Sequence, residues 1–168
     1  MLGIDPGSQR TGFGVVDAAG TRLTYVASGV IRTTEGEFAQ RLCEIFRCMR
    51  TVVAQYCPQE IAIEKVFVNR NPDSALKLGQ ARGAAICAVV SRGIVVHEYA
   101  ATEVKQAVVG SGRSDKTQVQ HMIGILLGLK GPLQADAADA LAIAVTHAHT
   151  RASLARVGIP RTAWRRGR

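Results

Sequence analysis

The sequence predicts an α/β domain built on a mixed five-stranded sheet with helices on its faces. Three observations carry this. Short apolar segments bounded by glycine and proline recur at 2–5, 12–32, 61–66 and 93–99, and longer stretches between and after them have apolar residues at three- and four-residue steps. The resulting order, βββαβαβααα, places hairpin-linked strands before alternating helices and strands, which gives antiparallel and parallel pairing in one sheet.

In order, residues 2–5 form a short strand and PGSQRTG a turn, after which GFGVVDA and RLTYVASGVIRT make a hairpin around Ala-Gly. From Glu37 to Cys57, Phe38, Leu42, Ile45, Phe46, Met49, Val53 and Tyr56 trace the stripe of a helix lying on a sheet, and Pro58 ends it. IAIEKV reads as a short buried strand. Pro72 opens a helix from Asp73 to about Ser91, in which Gly79 and Gly83 stand one turn apart and permit close backbone contact. GIVVHEY is the fifth strand, Ala101 to Val109 a short helix, Asp115 to Leu127 a helix capped by Ser114 or Asp115, and Ala135 to about Thr150 the last helix.

The chain has 168 residues, 47% hydrophobic and 20% charged, enough for one core and a tail. The expected division is a domain over 1–150 and a basic, flexible tail over 151–168. No apolar run reaches the ~18 residues of a membrane span, so no membrane association and a cytoplasmic location are expected. Cys43, Cys48, Cys57 and Cys87 show neither zinc nor disulfide spacing and read as reduced, mostly packed thiols. The four histidines read as structural.

The net charge of +8 is unevenly placed: −1 over residues 1–64, +4 over 65–116, −1 over 117–150 and +6 over 151–168. The middle block holds Lys65, Arg70, Lys77, Arg82, Lys105, Arg113 and Lys116, and the last holds six arginines and no acid. A polyanionic partner follows from such blocks.

Four acids stand against this background. Asp5 ends the first strand before Pro6-Gly7, a position where an aspartate commonly caps a turn. Glu64 lies in a strand among Ile61, Ala62, Ile63 and Val66, where an acid is costly unless paired with a cation. Asp136 and Asp139 share a face at the start of the last helix, where acids also serve as caps. If the four converge at one sheet edge they repel each other strongly without a cation, and their hard oxygens suit Mg2+ or Mn2+. Two such ions can drive phosphodiester hydrolysis, and the basic blocks can hold the phosphates.

Four blocks, GIDPGSQRTGFGVV, AIEKVFVNRNPDSALKLGQARG, EYAATEVKQAVVGSGRSDKTQVQHM and QADAADALAIAVTHAH, resemble the RuvC family of bacterial Holliday junction resolvases in order and spacing over residues 1–150. The resemblance implies an RNase H-like fold, a homodimer, Mg2+-dependent paired nicking of four-way junction DNA, and cooperation with the RuvA–RuvB branch-migration complex. Two Mg2+ ions per site are implied, with Mn2+ able to substitute. The family's catalytic, metal-holding acids fall on Asp5, Glu64, Asp136 and Asp139; some members carry histidine where Asp136 stands. Its basic active-site positions fall on Lys105 and Lys116, and its junction-contacting aromatic on Phe67, where a ring can wedge against opened bases. Arg70, Lys77, Arg82 and Arg113 are expected as further phosphate contacts. Leu76, Gly79, Gly83, Ile86 and Val90 on one side of the second helix offer a dimer face, and two identical sites suit paired cuts. GSGRSD is more charged than the loop usual in the family, and the tail beyond Thr150 matches nothing.

Other classes fit less well. The first hairpin also resembles the phosphate-binding hairpin of actin-like ATPases and sugar kinases, but those proteins close two such domains around a nucleotide and this chain is long enough for one. GSGRSDKT nearly fits a phosphate-binding loop, yet Asp115 would set a negative charge where backbone amides must meet phosphate. A non-catalytic junction-binding module and a sibling nuclease acting on another nucleic acid remain as alternatives.

Overall fold

The computed structural model describes residues 1–66 and 71–158, so Phe67 and Arg70 lie outside the described residues, as does the end of the chain from 159 onward. Among the described residues the strands are β1 (Leu2–Asp5), β2 (Arg10–Ala19), β3 (Arg22–Arg32), β4 (Ile61–Glu64) and β5 (Val96–Tyr99). The helices are α1 (Phe38–Tyr56), α2 (Pro72–Val90), α3 (Ala101–Val109), α4 (Lys116–Leu126) and α5 (Ala135–Arg156). The strands form one sheet in the order β3-β2-β1-β4-β5. β2 is antiparallel to both β1 and β3, while β1, β4 and β5 run parallel.

The central strands are apolar on both faces, as strands covered on both sides must be. Leu2, Ile4, Ile61 and Ile63 point into one core, where Ile45, Met49 and Val53 of α1 and Ala81, Ala85 and Ala88 of α2 meet them. The alternate residue Ala62 faces the other core with Val104 of α3, Ile123 of α4 and Leu141 and Val145 of α5. Gly3, Asp5 and Glu64 have the parity of Ala62, so both acids face the α3–α5 layer.

α5 is buried almost all round between Ala137 and Ala148, and it packs on β1, β2, β3 and β4. Glycines let it lie this close. A methyl group at Gly3 would collide with the Ala140 carbonyl, one at Gly12 with the Asp136 carbonyl, and one at Gly14 with the Leu141 backbone.

Several boundaries differ from expectation. β2 begins at Arg10, because the turn closes within 6–9: the Thr11 hydroxyl donates to the Gly7 carbonyl at 2.9 Å. The hairpin turn is Gly20-Thr21, with Gly20 at φ +62° where a two-residue loop asks for positive φ. β5 starts at Val96, since residues 91–93 form a turn ending on Gly93 at φ +72°. α5 continues six residues beyond Thr150, held by Arg151, which donates to the Ala18 carbonyl at 3.2 Å; Gly158 at φ +71° follows its end. Cys43, Cys57 and Cys87 are exposed rather than packed, because Cys43 and Cys87 fall off the apolar stripes of their helices and Cys57 is the left-handed residue that caps α1.

Candidate active site at the ends of the central strands

The parallel register pairs Leu2 with Ile61 and Ile4 with Ile63. One step further it sets Asp5 beside Glu64, each the last residue of its strand. Proline at position 6 and the separate courses of the chain beyond end the pairing there, so two carboxyls project side by side at an opening in the sheet. α5 then lowers Asp139 over them, because the three glycines beneath it admit its backbone.

The electrostatics of this cluster are those of like charges held together. Burial raises the Asp5 pKa to about 8, and the nearby Glu64 and Asp139 add to the rise. Asp5 and Glu64 interact side chain to side chain, which raises Asp5 further and draws Glu64 down. Burial and Asp139 also push Glu64 up, while Lys116 and Lys105 pull it down. Lys116 Nζ lies 3.1 Å from Asp139 Oδ2, and that contact raises the lysine pKa. The lysine side chain is 77% exposed and the aspartate 17%, so the cation reaches in from solvent and can swing away.

Glu64, Asp139, Lys105 and Lys116 rim a cleft floored by Val104, Val119, Ala142 and Ile143. Such a floor lowers the local dielectric and strengthens every charge interaction above it. Among the described residues no three acids, histidines or cysteines are gathered tightly enough to hold an ion as the side chains stand. The donor set nonetheless fits a hard divalent cation: three carboxylates repel each other, and a proton kept on the pair fills the place a positive charge would take.

Asp136 sits one turn earlier, in the first turn of α5, with its carbonyl over Gly12. The repulsion on Asp5 comes from Glu64 and Asp139, so three of the four expected acids lie within electrostatic reach of one another, and Asp136 is not among the groups that shift Asp5. Lys77 pairs with Asp73 at 2.7 Å, both exposed on α2. Arg113 is exposed in the loop before α4. Arg82 is turned inward: its Nε donates to the Glu64 carbonyl at 3.1 Å and its Nη2 lies 2.8 Å from Glu98. Its expected role as an open phosphate contact does not match that placement, because Nε and Nη2 are both directed into the fold.

A second ionisable cluster was not expected. His147 is fully buried; its Nδ1 lies 2.8 Å from the Tyr99 hydroxyl and its Nε2 3.0 Å from Glu60. Arg151 approaches the same Glu60 carboxylate at 3.5 Å. Burial, with His97 stacked at 4.4 Å, lowers the His147 pKa to about 4. The ring is therefore neutral at pH 7: Nε2–H donates to the carboxylate, and Nδ1 accepts from the tyrosine. The one signal in the sequence is spacing, since Glu60 precedes Glu64 by four and shares its face.

A mixed sheet in this order, with carboxylates at the end of its first strand and of the neighbouring parallel strand, defines an RNase H-like domain. The family model described as crossover junction endodeoxyribonuclease RuvC matches residues 1–147. A crossover junction endodeoxyribonuclease RuvC of Xanthomonas campestris pv. campestris (strain B100) is 57% identical over 171 residues, covering 100% of this chain and 98% of that protein. The Thermus thermophilus RuvC structure superposes with a TM-score of 0.81 at 35% identity, covering 95% of this chain and 98% of that one. The T. thermophilus RuvC in complex with Holliday junction substrate gives a TM-score of 0.84 at 35% identity, covering 94% and 95%. The chain belongs to the RuvC family of crossover junction endodeoxyribonucleases.

Proposed function

We propose that this protein is a homodimeric, divalent-metal-dependent endonuclease that resolves Holliday junctions by paired, symmetric nicking, in the cytoplasm and together with a RuvA–RuvB branch-migration complex. The observation that carries the reading is the convergence of Asp5, Glu64 and Asp139 at the strand ends, where burial and the two neighbouring acids together lift Asp5 to about 8, in a chain of this family. Asp5, Glu64 and Asp139 hold the cations, two Mg2+ per site, with Asp136 able to join from the first turn of α5 and Mn2+ able to substitute. When bound, the metal activates water and stabilises the leaving oxygen of the phosphodiester.

The chain's own residues prepare that step. Asp5 and Glu64 would hold a cation as two anionic carboxylates, so its binding would be coupled to loss of the proton that burial and repulsion keep on the pair. Lys116 leaves Asp139 and, with Lys105, meets the phosphate at the cleft rim. The apolar floor keeps bulk water from screening these contacts. Phe67, three residues beyond Glu64, is the wedge at the crossover, with Arg70, Lys77 and Arg113 contacting phosphates around it.

Support for the dimer comes from α2. Leu76 is 67% exposed and Val90 45%, and Gly79 and Gly83 face open space, so this side is uncovered in the single chain while Ala81, Ala85 and Ala88 pack inward. Among the described residues no helix is long and apolar enough to cross a membrane.

The test is strand nicking of an end-labelled four-way junction, duplex, single strand and RNA–DNA hybrid, with and without Mg2+. Paired symmetric nicks in the junction alone, lost in Asp5→Asn, are expected. Cleavage of another substrate moves the assignment to a sibling nuclease, and tight junction binding without any cutting leaves a structure-specific binder.

A further inference from the structure

The ladder between β1 and β4 has a missing donor, and Arg82 fills it. Leu2 N–H donates to the Glu60 carbonyl at 3.0 Å, while Ile61 and Lys65 donate toward β5, to Val95 and Tyr99. The carbonyls of residues 60, 62 and 64 therefore face β1. Carried forward by twos, the pattern that joins Leu2 to Glu60 would join residue 6 to Glu64. Residue 6 is proline, which has no N–H. The Glu64 carbonyl instead accepts from Arg82 Nε at 3.1 Å.

We propose that Arg82 is a positioning residue for Glu64: by supplying the donor that Pro6 lacks, it fixes the end of β4 and thus the direction of the Glu64 carboxylate. Two further features support the role. Arg82 is 18% exposed, and Glu98 on β5 holds its Nη2 at 2.8 Å, off the line of an N–H, so the pairing orients the guanidinium by charge. Arg82 also follows Ala81 on α2, which packs against Ile61 and Ile63 in the core, so the arginine ties the strand end to the helix that carries the open dimer face. Lysine has no planar fork with which to hold both partners at once. The proposal rests on Glu64 being a catalytic acid.

The test compares single-turnover nicking with junction affinity measured in EDTA. Arg82→Gln is expected to slow nicking by roughly ten- to a hundredfold, the effect of a small misplacement of a reacting group, with affinity and its salt dependence unchanged. Arg82→Lys is expected to fall between. The loss caused by Arg82→Gln should shrink when made in a Pro6→Ala background, where the restored amide can donate to Glu64. In the unaltered protein, the Arg82 Nε proton should exchange with solvent more slowly than those of exposed arginines, a readout that needs no variant to fold.

Equal losses in both backgrounds, or an Nε proton exchanging like those of exposed arginines, overturn the proposal. So does a loss that follows affinity and flattens the salt slope by about one, which marks a phosphate contact. Glu64→Gln separates the two levels. If it still nicks, the catalytic reading of Glu64 fails; if it is inactive while Arg82→Gln is unimpaired, only the positioning role fails.

Discussion

Strand β4 is preceded by one glutamate and finishes on another, and its two ends solve the same electrostatic problem in opposite ways. Glu60 and Glu64 share a face, four residues apart. Glu60 is 3% exposed, with a neutral His147 donating to it and Arg151 at 3.5 Å. Glu64 is given Asp5 and Asp139 for company, and the cations nearby are the lysines Lys116 and Lys105 of the cleft. A buried acid with its own hydrogen-bond donors holds elements together, whereas acids buried against one another await a cation from outside. Burial alone does not separate the two; the sign of the neighbours does.

The largest effects are expected at the Glu64 end. Asp5→Asn, Glu64→Gln and Asp139→Asn should each lower nicking by roughly a thousandfold or more, while junction affinity in EDTA and the melting temperature hold or rise, because each removes repulsion. A fall in melting temperature matching the lost activity would make these acids structural.

At the Glu60 end the expected effect is on stability. His147→Ala removes a buried donor from Glu60 and leaves a cavity, and should cost about 3–5 kcal/mol in denaturant unfolding; a change under about 1 kcal/mol would mean that the other groups on Glu60 suffice without the ring. A smaller loss, about 1–3 kcal/mol with slower nicking in the folded protein, is expected for Gly3→Ala, which pushes α5 off β1 and lifts Asp139 with it.

The finest distinction is in pH. Between about 4 and 6.5 the unfolded chain binds a proton at His147 that the native ring does not, so this end makes stability rise with pH. Between about 3.8 and 8 native Asp5 keeps a proton that the unfolded chain has released, so that end makes stability fall with pH. Each slope is limited to about 1.4 kcal/mol per pH unit. In EDTA the two should largely offset below pH 6.5, leaving a decline from 6.5 to 8. Asp5→Asn should remove that decline and unmask the rise. Urea titrations across this range check both; identical profiles for the two proteins would show that Asp5 titrates normally.

Much of this was legible in the sequence, and the rest was hidden for definite reasons. Element order follows from periodicity, and Glu64 betrays itself as an acid among β-branched neighbours. Glu60 does not, because it follows Pro58 and Gln59 and looks like part of a loop. His147 lies in a helix buried all round, where no amphipathic stripe marks which side chains meet. Gly3 reads as a residue of the first strand, and Gly12 and Gly14 as hairpin residues, until α5 is seen lying on them. Arg82 reads as one more cation in a basic block, since sequence carries charge but not the direction a side chain takes. The extension of α5 to Arg156 depends on a contact with Ala18, 133 residues away, which no local pattern encodes.

The bed of glycines under α5 also bears on the order in which the protein is made. Asp5 and Glu64 emerge from the ribosome long before Asp139, and the sheet face they share stays uncovered until residues 135–156 arrive to dock on it. Contacts this distant in sequence form late. A nascent or prematurely released chain thus carries two of the three converging acids and no finished cleft, so the site proposed to cut DNA is complete only once α5 has docked.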